Sequence, residues 1–293
     1  MSYFKKWQLN KVLVCNSKTT IYNVEPKFDF EDNTNEELKN DILSTKWVLK
    51  YTSHWERELR IINQLKLYEN DELFIKMPKD KIFRGEIFPS FSYFVMEKYD
   101  STIRDNFKFA RENLKNLGKY LIDVLSFLHL KLNKIHGDIK CDNILIKYSK
   151  SQPFILMDYE CIKEPDEVLC QSELPEGYYY YYLGCYFDKP HFSYRSDLQT
   201  VGYLFYSLAM STHKEYVITS WQNYAMDFYN EDLKKDDFEF LETIRKNDVI
   251  KEFLTKNEYK DMIVSYFDII EKQDWYGNPN PEVYEKLQTL FKI

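Results

Sequence analysis

The sequence lacks a cysteine pattern typical of disulfide frameworks or zinc sites. Its five cysteines form no Cys-x-x-Cys pair, and their odd number argues against a disulfide-stabilised scaffold. Disulfide-rich secreted domains are therefore excluded, and a reducing compartment is expected. The cysteines are Cys15, Cys141, Cys161, Cys170 and Cys185.

Long apolar runs and blocks of basic residues are also missing. No segment approaches the roughly 20 apolar residues that a membrane-spanning helix needs, and the first residues, Met-Ser-Tyr-Phe-Lys-Lys-Trp, lack the apolar core of a signal sequence. The net charge is −7, and the lysines are scattered as on an ordinary solvated surface. We expect a soluble cytoplasmic protein with no membrane, DNA or RNA partner.

Small residues are scarce, with seven glycines and three alanines in 293 residues. Aromatic residues make up 17% of the chain, which we interpret as the bias of an AT-rich coding genome rather than as a functional feature. The hydrophobic fraction of 44% and the charged fraction of 30% are ordinary for a globular protein. The length suffices for one large domain or two smaller ones, each with its own core.

One stretch contains candidate catalytic residues. Residues 136–143 read His-Gly-Asp-Ile-Lys-Cys-Asp-Asn and lead directly into the apolar run Ile-Leu-Ile. In phosphoryl-transfer loops an aspartate accepts the proton of the attacking hydroxyl, a lysine lies near the transferred phosphate, and an asparagine carbonyl binds a metal ion. Asp138, Lys140 and Asn143 supply these groups in that order. His136 is expected to pack in the core rather than act as a base.

A second carboxylate follows further along the chain. The apolar residues 154–157 predict a short buried strand that ends at Asp158, where a second contact to the metal is needed. Together with the loop at 136–143, this order resembles the eukaryotic protein kinases. The resemblance implies an α+β, bilobal protein kinase fold. Residues 1–97 would form an N-lobe with a small antiparallel β-sheet and one helix, and residues 98–293 a larger, mainly helical C-lobe.

The first part of the chain is expected to form the nucleotide-binding sheet. Segments 7–14 and 19–24 predict two strands, and segment 47–51 predicts a strand that carries Lys50, as in the kinase motif Val-Ala-Ile-Lys. The turn between the first two strands, residues 15–18, contains no glycine. Kinases use glycines there so that main-chain N–H groups approach the ATP phosphates. This turn is the largest departure from the family pattern.

The resemblance also implies a carboxylate partner for Lys50. Residues 54–65 have helical spacing and look like the family's third helix, so Glu58 is our choice of partner. The interval between Lys50 and Glu58 is short for this pair, and Glu56 or a shifted helix is the alternative.

Residues 92–97 predict the strand that leads to the hinge between the lobes. By resemblance, Met96 controls the back of the adenine pocket, and Glu97 to Tyr99 offer main-chain groups to the adenine. Plain core packing of Met96 is the alternative. Residues 114–130 repeat apolar side chains at helical spacing, which predicts a helix that supports the catalytic loop.

The segment after Asp158 corresponds to a kinase activation segment. Residues 160–176 contain six carboxylates and one lysine, which favours a basic protein substrate by charge complementarity. For the tyrosine run that follows Gly177, a packed aromatic strand or a substrate-loop wall is preferred to phosphorylation sites. Asp197 begins the next apolar helix. In kinases, the aspartate at this place hydrogen-bonds the main chain of the catalytic loop.

Within the kinases, the sequence resembles the vaccinia-related kinase and casein kinase 1 group. The similarity lies in His-Gly-Asp-Ile-Lys at 136–140, Met-Asp-Tyr at 157–159 and Ser-Tyr-Arg-Ser-Asp-Leu at 193–198. Gly137 replaces the arginine that precedes the catalytic aspartate in most kinases and would pair with a phosphorylated activation loop, so activation by phosphorylation of that loop is less expected. Composition and the poxvirus-like features fit a viral protein that acts in the host cell cytoplasm.

The activity implied is that of a serine/threonine kinase that uses ATP and Mg²⁺. Asp138 would be the catalytic base, and Lys140 would offset charge on the γ-phosphate. Asn143 and Asp158 would hold Mg²⁺, and Lys50, fixed by its glutamate, would contact the α- and β-phosphates.

Two other hypotheses stay open. A pseudokinase that binds a partner protein would explain the glycine-free turn, and also Glu160, which stands where kinases have the glycine of the metal-binding motif. A small-molecule kinase of the aminoglycoside or choline type would explain Asp-Tyr-Glu at 158–160, although such enzymes usually lack Lys140. An active protein kinase is favoured because all five residues that the resemblance assigns to phosphate binding, metal binding or catalysis are present. They are Lys50, Asp138, Lys140, Asn143 and Asp158.

Overall fold

The computed structural model describes residues 7–15, 19–26, 40, 43–52, 58, 60–62, 64, 84–88, 91–165, 193–209, 258–274 and 277–292. Glu56, most of the glycine-free turn, most of the acidic segment and the tyrosine run lie outside these residues. The chain divides into two compact units. The first comprises Met1–Asp100 with Met157–Glu160, and the second comprises Ser101–Leu156 with Cys161–Ile293.

The first unit contains a five-stranded antiparallel sheet in the order β1-β2-β3-β5-β4. Its sequences are rich in β-branched and aromatic side chains, which pack well on a pleated surface. The strands are β1 Trp7–Cys15, β2 Thr19–Pro26, β3 Trp47–Thr52, β4 Arg84–Phe88 and β5 Phe91–Glu97.

Strand β3 lies in the middle of this sheet and is buried on both faces. Trp47 and Leu49 belong to a cluster of buried apolar residues on one face. Because side chains alternate along a strand, Val48 and Lys50 lie on the other face, and both are buried. The Lys50 ammonium is 5.9 Å from the ring centroid of its cross-strand partner Phe94. The sheet thus fixes a lysine where apolar residues surround it.

The second unit combines a small antiparallel sheet, in the order β6-β7-β8, with helices. Its strands are β6 Ser101–Thr102, β7 Ile144–Ile146 and β8 Phe154–Leu156. Its helices are α1 Phe107–Glu112, α2 Leu114–Leu132, α3 Tyr194–Ala209, α4 Lys260–Ile270 and α5 Pro281–Leu290. In the described part of the chain, no helix is both long and apolar enough to cross a membrane.

Helix α3 is the core of the second unit. All of its residues except Arg195 are buried, as expected for a helix that is covered on every side. It packs against α1, α2 and α4. Asp197 in its first turn is therefore a fully buried carboxylate.

Helix α2 leads into the loop at residues 136–143. It ends at Asn133, which adopts a left-handed conformation with φ 55° and donates its N–H to the Leu128 carbonyl. Such a residue closes a helix because it satisfies a carbonyl of the last turn. The loop predicted at 136–143 begins three residues later.

Close packing between α2 and the residue after α5 leads to a stability prediction. A Cβ atom at Gly118 would lie 2.3–2.7 Å from three atoms of the Phe291 ring. In a solvated helix, glycine-to-alanine stabilises by about 1 kcal/mol. Here we expect Gly118→Ala to lower the free energy of unfolding by about 1–3 kcal/mol, because Phe291 must move. Urea unfolding measures the effect.

The matched control is Lys115→Ala, an exposed position on the same helix, which should change stability by less than about 0.5 kcal/mol. Gly118→Ala should also become less harmful when Phe291 is shortened to leucine. Stabilisation by Gly118→Ala alone would contradict the packing of α2.

Candidate active site

Lys50 is held by two carboxylates in the first unit. Its Nζ atom donates to Glu58 Oε2 at 2.8 Å and Oε1 at 3.1 Å, and to Asp158 Oδ1 at 2.7 Å. The Lys50 and Glu58 side chains are only 3% and 2% exposed, whereas Asp158 is 22% exposed. Buried charges are stable only when they are paired and hydrogen-bonded. The arrangement therefore presents Asp158 at the accessible side of a buried ion pair.

The short interval between Lys50 and Glu58 does not prevent this pair. Strand β3 ends at Thr52, and residues 58, 60–62 and 64 are helical. Ile61 and Ile62 are buried, which anchors this helical segment while Glu58 contacts the lysine.

Asp158 has an unusual main-chain conformation. Its φ angle is 69°, in the left-handed region that non-glycine residues adopt rarely. It follows β8 and precedes a 3₁₀ turn at Tyr159–Cys161. Strained residues of this kind persist where surrounding contacts hold them, and they concentrate at functional sites. The bond to Lys50 is one contact that holds the Asp158 carboxylate.

Asp138, Lys140 and Asn143 form a second constellation, in the second unit. Asp138 Oδ2 accepts from Lys140 Nζ at 2.7 Å and from Asn143 Nδ2 at 2.8 Å. Asn143 Nδ2 also donates to the Asp138 carbonyl at 2.9 Å. The Asp138 side chain is 4% exposed and that of Lys140 is 17% exposed. One carboxylate oxygen is thus oriented by two donors, and the amide nitrogen of Asn143 is committed to Asp138.

The conformation of the loop at residues 136–143 follows from its sequence. Gly137 has φ 77°, a value that glycine adopts without steric cost. Asp138 donates its N–H to His136 Nδ1 at 3.2 Å, so this ring nitrogen is an acceptor. His136 is fully buried and serves the loop's main chain. Cys141–Asn143 form a 3₁₀ turn that leads into β7.

Asp197 on α3 holds the start of this loop. Its carboxylate accepts the N–H groups of His136 at 2.7 Å and Gly137 at 3.1 Å. The same carboxylate contacts His129 Nε2 on α2 at 2.9 Å, and His129 Nδ1 is hydrogen-bonded to the Tyr284 hydroxyl on α5. All these groups are buried. Hydrogen bonds therefore connect the loop directly to α3 and, through Asp197 and His129, to α2 and α5.

Sequence reasoning missed His129 and Tyr284. The available signal was a histidine on the apolar face of α2, where Leu125 and Leu128 are also buried. Nothing in the sequence distinguished Tyr284, because a tyrosine at helical spacing is predicted to be an ordinary core residue. Burial, followed by the nearby Asp197 charge, raises the pKa of Tyr284 well above its ordinary value, so its hydroxyl stays protonated.

The residues predicted to contact adenine lie at the end of β5. Met96 pairs in register with Val48, and Glu97 pairs with Trp47. Met96, Glu97 and Tyr99 are all buried, as residues beside a packed sheet should be. Their roles toward adenine stay predictions.

Each unit offers an oxygen donor of the kind that Mg²⁺ prefers. In the second unit, the Asn143 nitrogen donates to Asp138, so the side-chain oxygen of Asn143 is the atom suited to bind a metal. In the first unit, Asp158 has a partly exposed carboxylate. Among the described residues no group of three or more His, Cys, Asp or Glu could form a metal cage. Mg²⁺ is usually bound by one or two protein oxygens together with substrate phosphates and water.

Comparison with solved structures shows the fold. The chain is similar to a structure described as vaccinia related kinase 3, with a TM-score of 0.59 and 14% sequence identity. The match covers 97% of this chain and 85% of that one. No family model matches the sequence. The predicted fold class is confirmed: the chain has a kinase-like α+β fold, with an antiparallel sheet in its amino-terminal part and helices in its carboxy-terminal part.

Proposed function

We propose that this chain is a protein serine/threonine kinase that transfers the γ-phosphate of ATP to a protein hydroxyl. The observation that carries the proposal is the catalytic-loop constellation, in which Lys140 and Asn143 both donate to Oδ2 of a buried Asp138. Any buried carboxylate needs donors, but here they are a lysine and an asparagine at the two positions where a phosphoryl-transfer loop uses them. The kinase-like fold supports the proposal.

Three residues of the chain would each have a separate role in phosphoryl transfer. Asp138 orients the attacking hydroxyl and accepts its proton as the new O–P bond forms and the bond to the leaving ADP oxygen breaks. Lys140, already beside Asp138, offsets charge on the transferred phosphoryl group. Lys50, fixed by Glu58, binds the α- and β-phosphates.

Asn143 and Asp158 would hold Mg²⁺ through their side-chain oxygens. Bound Mg²⁺ supplies neutralisation of the phosphate charge. Met96, Glu97 and Tyr99 would line the adenine site. The acidic composition of residues 160–176 favours a basic protein substrate in the cytoplasm, of a host cell if the chain is viral.

A pseudokinase is the second candidate, and the glycine-free turn at 15–18 favours it. Without close main-chain approach to the phosphates, nucleotide affinity would be weak and insensitive to Mg²⁺. Weak or Mg²⁺-independent nucleotide binding would therefore favour the pseudokinase before any substrate is known.

We expect Mg²⁺-ATP to raise the melting temperature of the protein, since ligands that bind only the folded state stabilise it. At a hundredfold excess over Kd, the gain is about 2.7 kcal/mol. Lys50→Ala and Asp158→Asn should each weaken binding by about tenfold or more, because each removes a charged contact to phosphate or metal. EDTA should reduce the shift of the wild-type protein.

The matched control is Lys119→Ala, which removes a lysine that is 54% exposed and pairs with Asp123 one helical turn away. It should bind like wild type. Binding that does not depend on Mg²⁺, or no binding at millimolar ATP, would favour the pseudokinase.

A further inference from the structure

The last helix of the chain is connected to the catalytic loop by a continuous series of hydrogen bonds. The Tyr284 hydroxyl contacts His129 Nδ1, His129 Nε2 contacts Asp197 Oδ2, and Asp197 accepts two N–H groups of the loop. Tyr284 and His129 are separated by 155 positions in the sequence. The series joins α5, α2 and α3 to the residue before Asp138.

With a neutral His129 ring, the direction of each bond follows from the chemistry of its partners. A carboxylate only accepts, so His129 Nε2 must carry the proton that faces Asp197. In a neutral imidazole the other nitrogen is then an acceptor, and it needs a donor. Tyr284 supplies that donor, since burial and the Asp197 charge keep its phenol protonated.

Loss of the Tyr284 hydroxyl would have a specific consequence. His129 Nδ1 would become a buried acceptor without a donor from α5, which costs free energy. The His129 ring would then leave its present orientation, and its Nε2–H bond to Asp197 would weaken. Asp197 would then shift, and the N–H groups of His136 and Gly137 would lose their acceptor.

Simple packing does not require this hydroxyl. The Tyr284 ring already packs on the His129 ring, with centroids 5.7 Å apart and planes at 79°. Phenylalanine would keep this contact and the helix interface. A buried polar chain is stabilising only when each member is satisfied, and it then specifies one arrangement of the parts it joins.

We propose that Tyr284 is a positioning residue: its hydroxyl holds the His129 ring that orients Asp197, and through Asp197 it sets the main chain beside the catalytic base. The kinetic part of this inference rests on the proposed kinase activity, whereas the structural part does not. The carboxy-terminal helix is thus part of the catalytic apparatus without contacting the reacting groups.

Amide hydrogen exchange of Tyr284→Phe tests the structural part. The amides of His136 and Gly137 should exchange about tenfold to a hundredfold faster than in wild type, since a buried acceptor is left unsatisfied. The matched control is Tyr266→Phe. Tyr266 is equally buried, and its hydroxyl donates to the Leu198 carbonyl of α3 at 2.8 Å without touching His129.

Tyr266→Phe should leave the two loop amides within about threefold of wild type, because it keeps the donor to His129. Unchanged exchange in Tyr284→Phe would overturn the proposal. Equal acceleration in both variants would also overturn it, because the effect would then be general loosening around α3.

A second measurement needs no variant. The ring ¹⁵N resonances of His129 in the wild-type protein should show a protonated Nε2 and an unprotonated Nδ1. A protonated Nδ1 would overturn the proposal even if Tyr284→Phe fails to fold.

Kinetics then test the link to activity. Tyr284→Phe should lower kcat about tenfold while the KM for ATP stays within twofold, because the base is misplaced and the nucleotide site is untouched. A rise in KM with unchanged kcat would contradict a positioning role. If the wild-type protein transfers no phosphate, the proposed function fails, and the exchange and ¹⁵N measurements still decide the structural proposal.

Discussion

Asp138→Asn should reduce the rate of phosphoryl transfer by about 10²–10⁴-fold, the usual contribution of a positioned general base. Asparagine has nearly the same shape, and its side-chain oxygen can still accept from Lys140 or Asn143. It cannot accept the proton of the attacking hydroxyl. The KM for ATP should change little, because the residues proposed to bind phosphate are unaltered. Transfer of ³²P from labelled ATP, measured under initial-rate conditions, provides both constants.

Asp142→Asn is the control for this loop. Asp142 lies one position before Asn143, but its carboxylate is 41% exposed and pairs with Arg104. The same chemical change there should leave kcat within about twofold of wild type. If Asp138→Asn retained a tenth or more of the activity, Asp138 would not be the base.

Asp197→Ala should lower the free energy of unfolding by about 3–5 kcal/mol, which is typical when one partner of a buried charged network is removed. The Asp197 carboxylate accepts from the main chain of His136 and Gly137 and from the His129 ring. All of these donors are buried, so water cannot replace the lost acceptor. Urea unfolding followed by circular dichroism measures the change.

Asp142→Ala provides the comparison for stability as well. Its ion pair with Arg104 is solvent-exposed on both sides, at 56% and 41%, and should contribute about 0–1 kcal/mol. Asp197→Asn should fall between the two, since it keeps one acceptor oxygen. A loss of less than 1 kcal/mol in Asp197→Ala would contradict the role of this carboxylate in holding the loop.

Local sequence pattern was sufficient for most of the elements that carry the site. The predicted strand at 47–51 and helix at 114–130 correspond to β3 and α2, within two residues at each end. Periodic apolar side chains encode such elements directly. Asp138, Lys140 and Asn143 are five residues apart or less, so a short loop brings them together.

Contacts between distant segments could be anticipated only through the resemblance. Lys50 and Asp158 are 108 positions apart, yet their side chains touch. No local pattern encodes that distance. The resemblance to kinases assigned Lys50 to the phosphates and Asp158 to the metal, but it did not predict that their side chains touch. It did predict the contact of Asp197 with the loop.

The connection of Tyr284 to His129 was not predicted at all. Both residues fit the apolar faces of their helices, and hydropathy does not distinguish a tyrosine that packs from one that also donates a buried hydrogen bond. Only the packing of α2 against α5 brings the two together. Buried polar networks are therefore the part of such a site that is hardest to predict from the sequence.

The measurement that tests the central proposal most directly is transfer of ³²P from γ-labelled ATP, with Mg²⁺, to histone, casein and the protein itself. We predict labelled phosphoserine or phosphothreonine, preferentially on the basic histone, and none above background with Asp138→Asn. A wild-type protein that binds Mg²⁺-ATP but labels no protein above the Asp138→Asn background would contradict the kinase proposal. The ordered loop at 136–143 would then serve the fold alone.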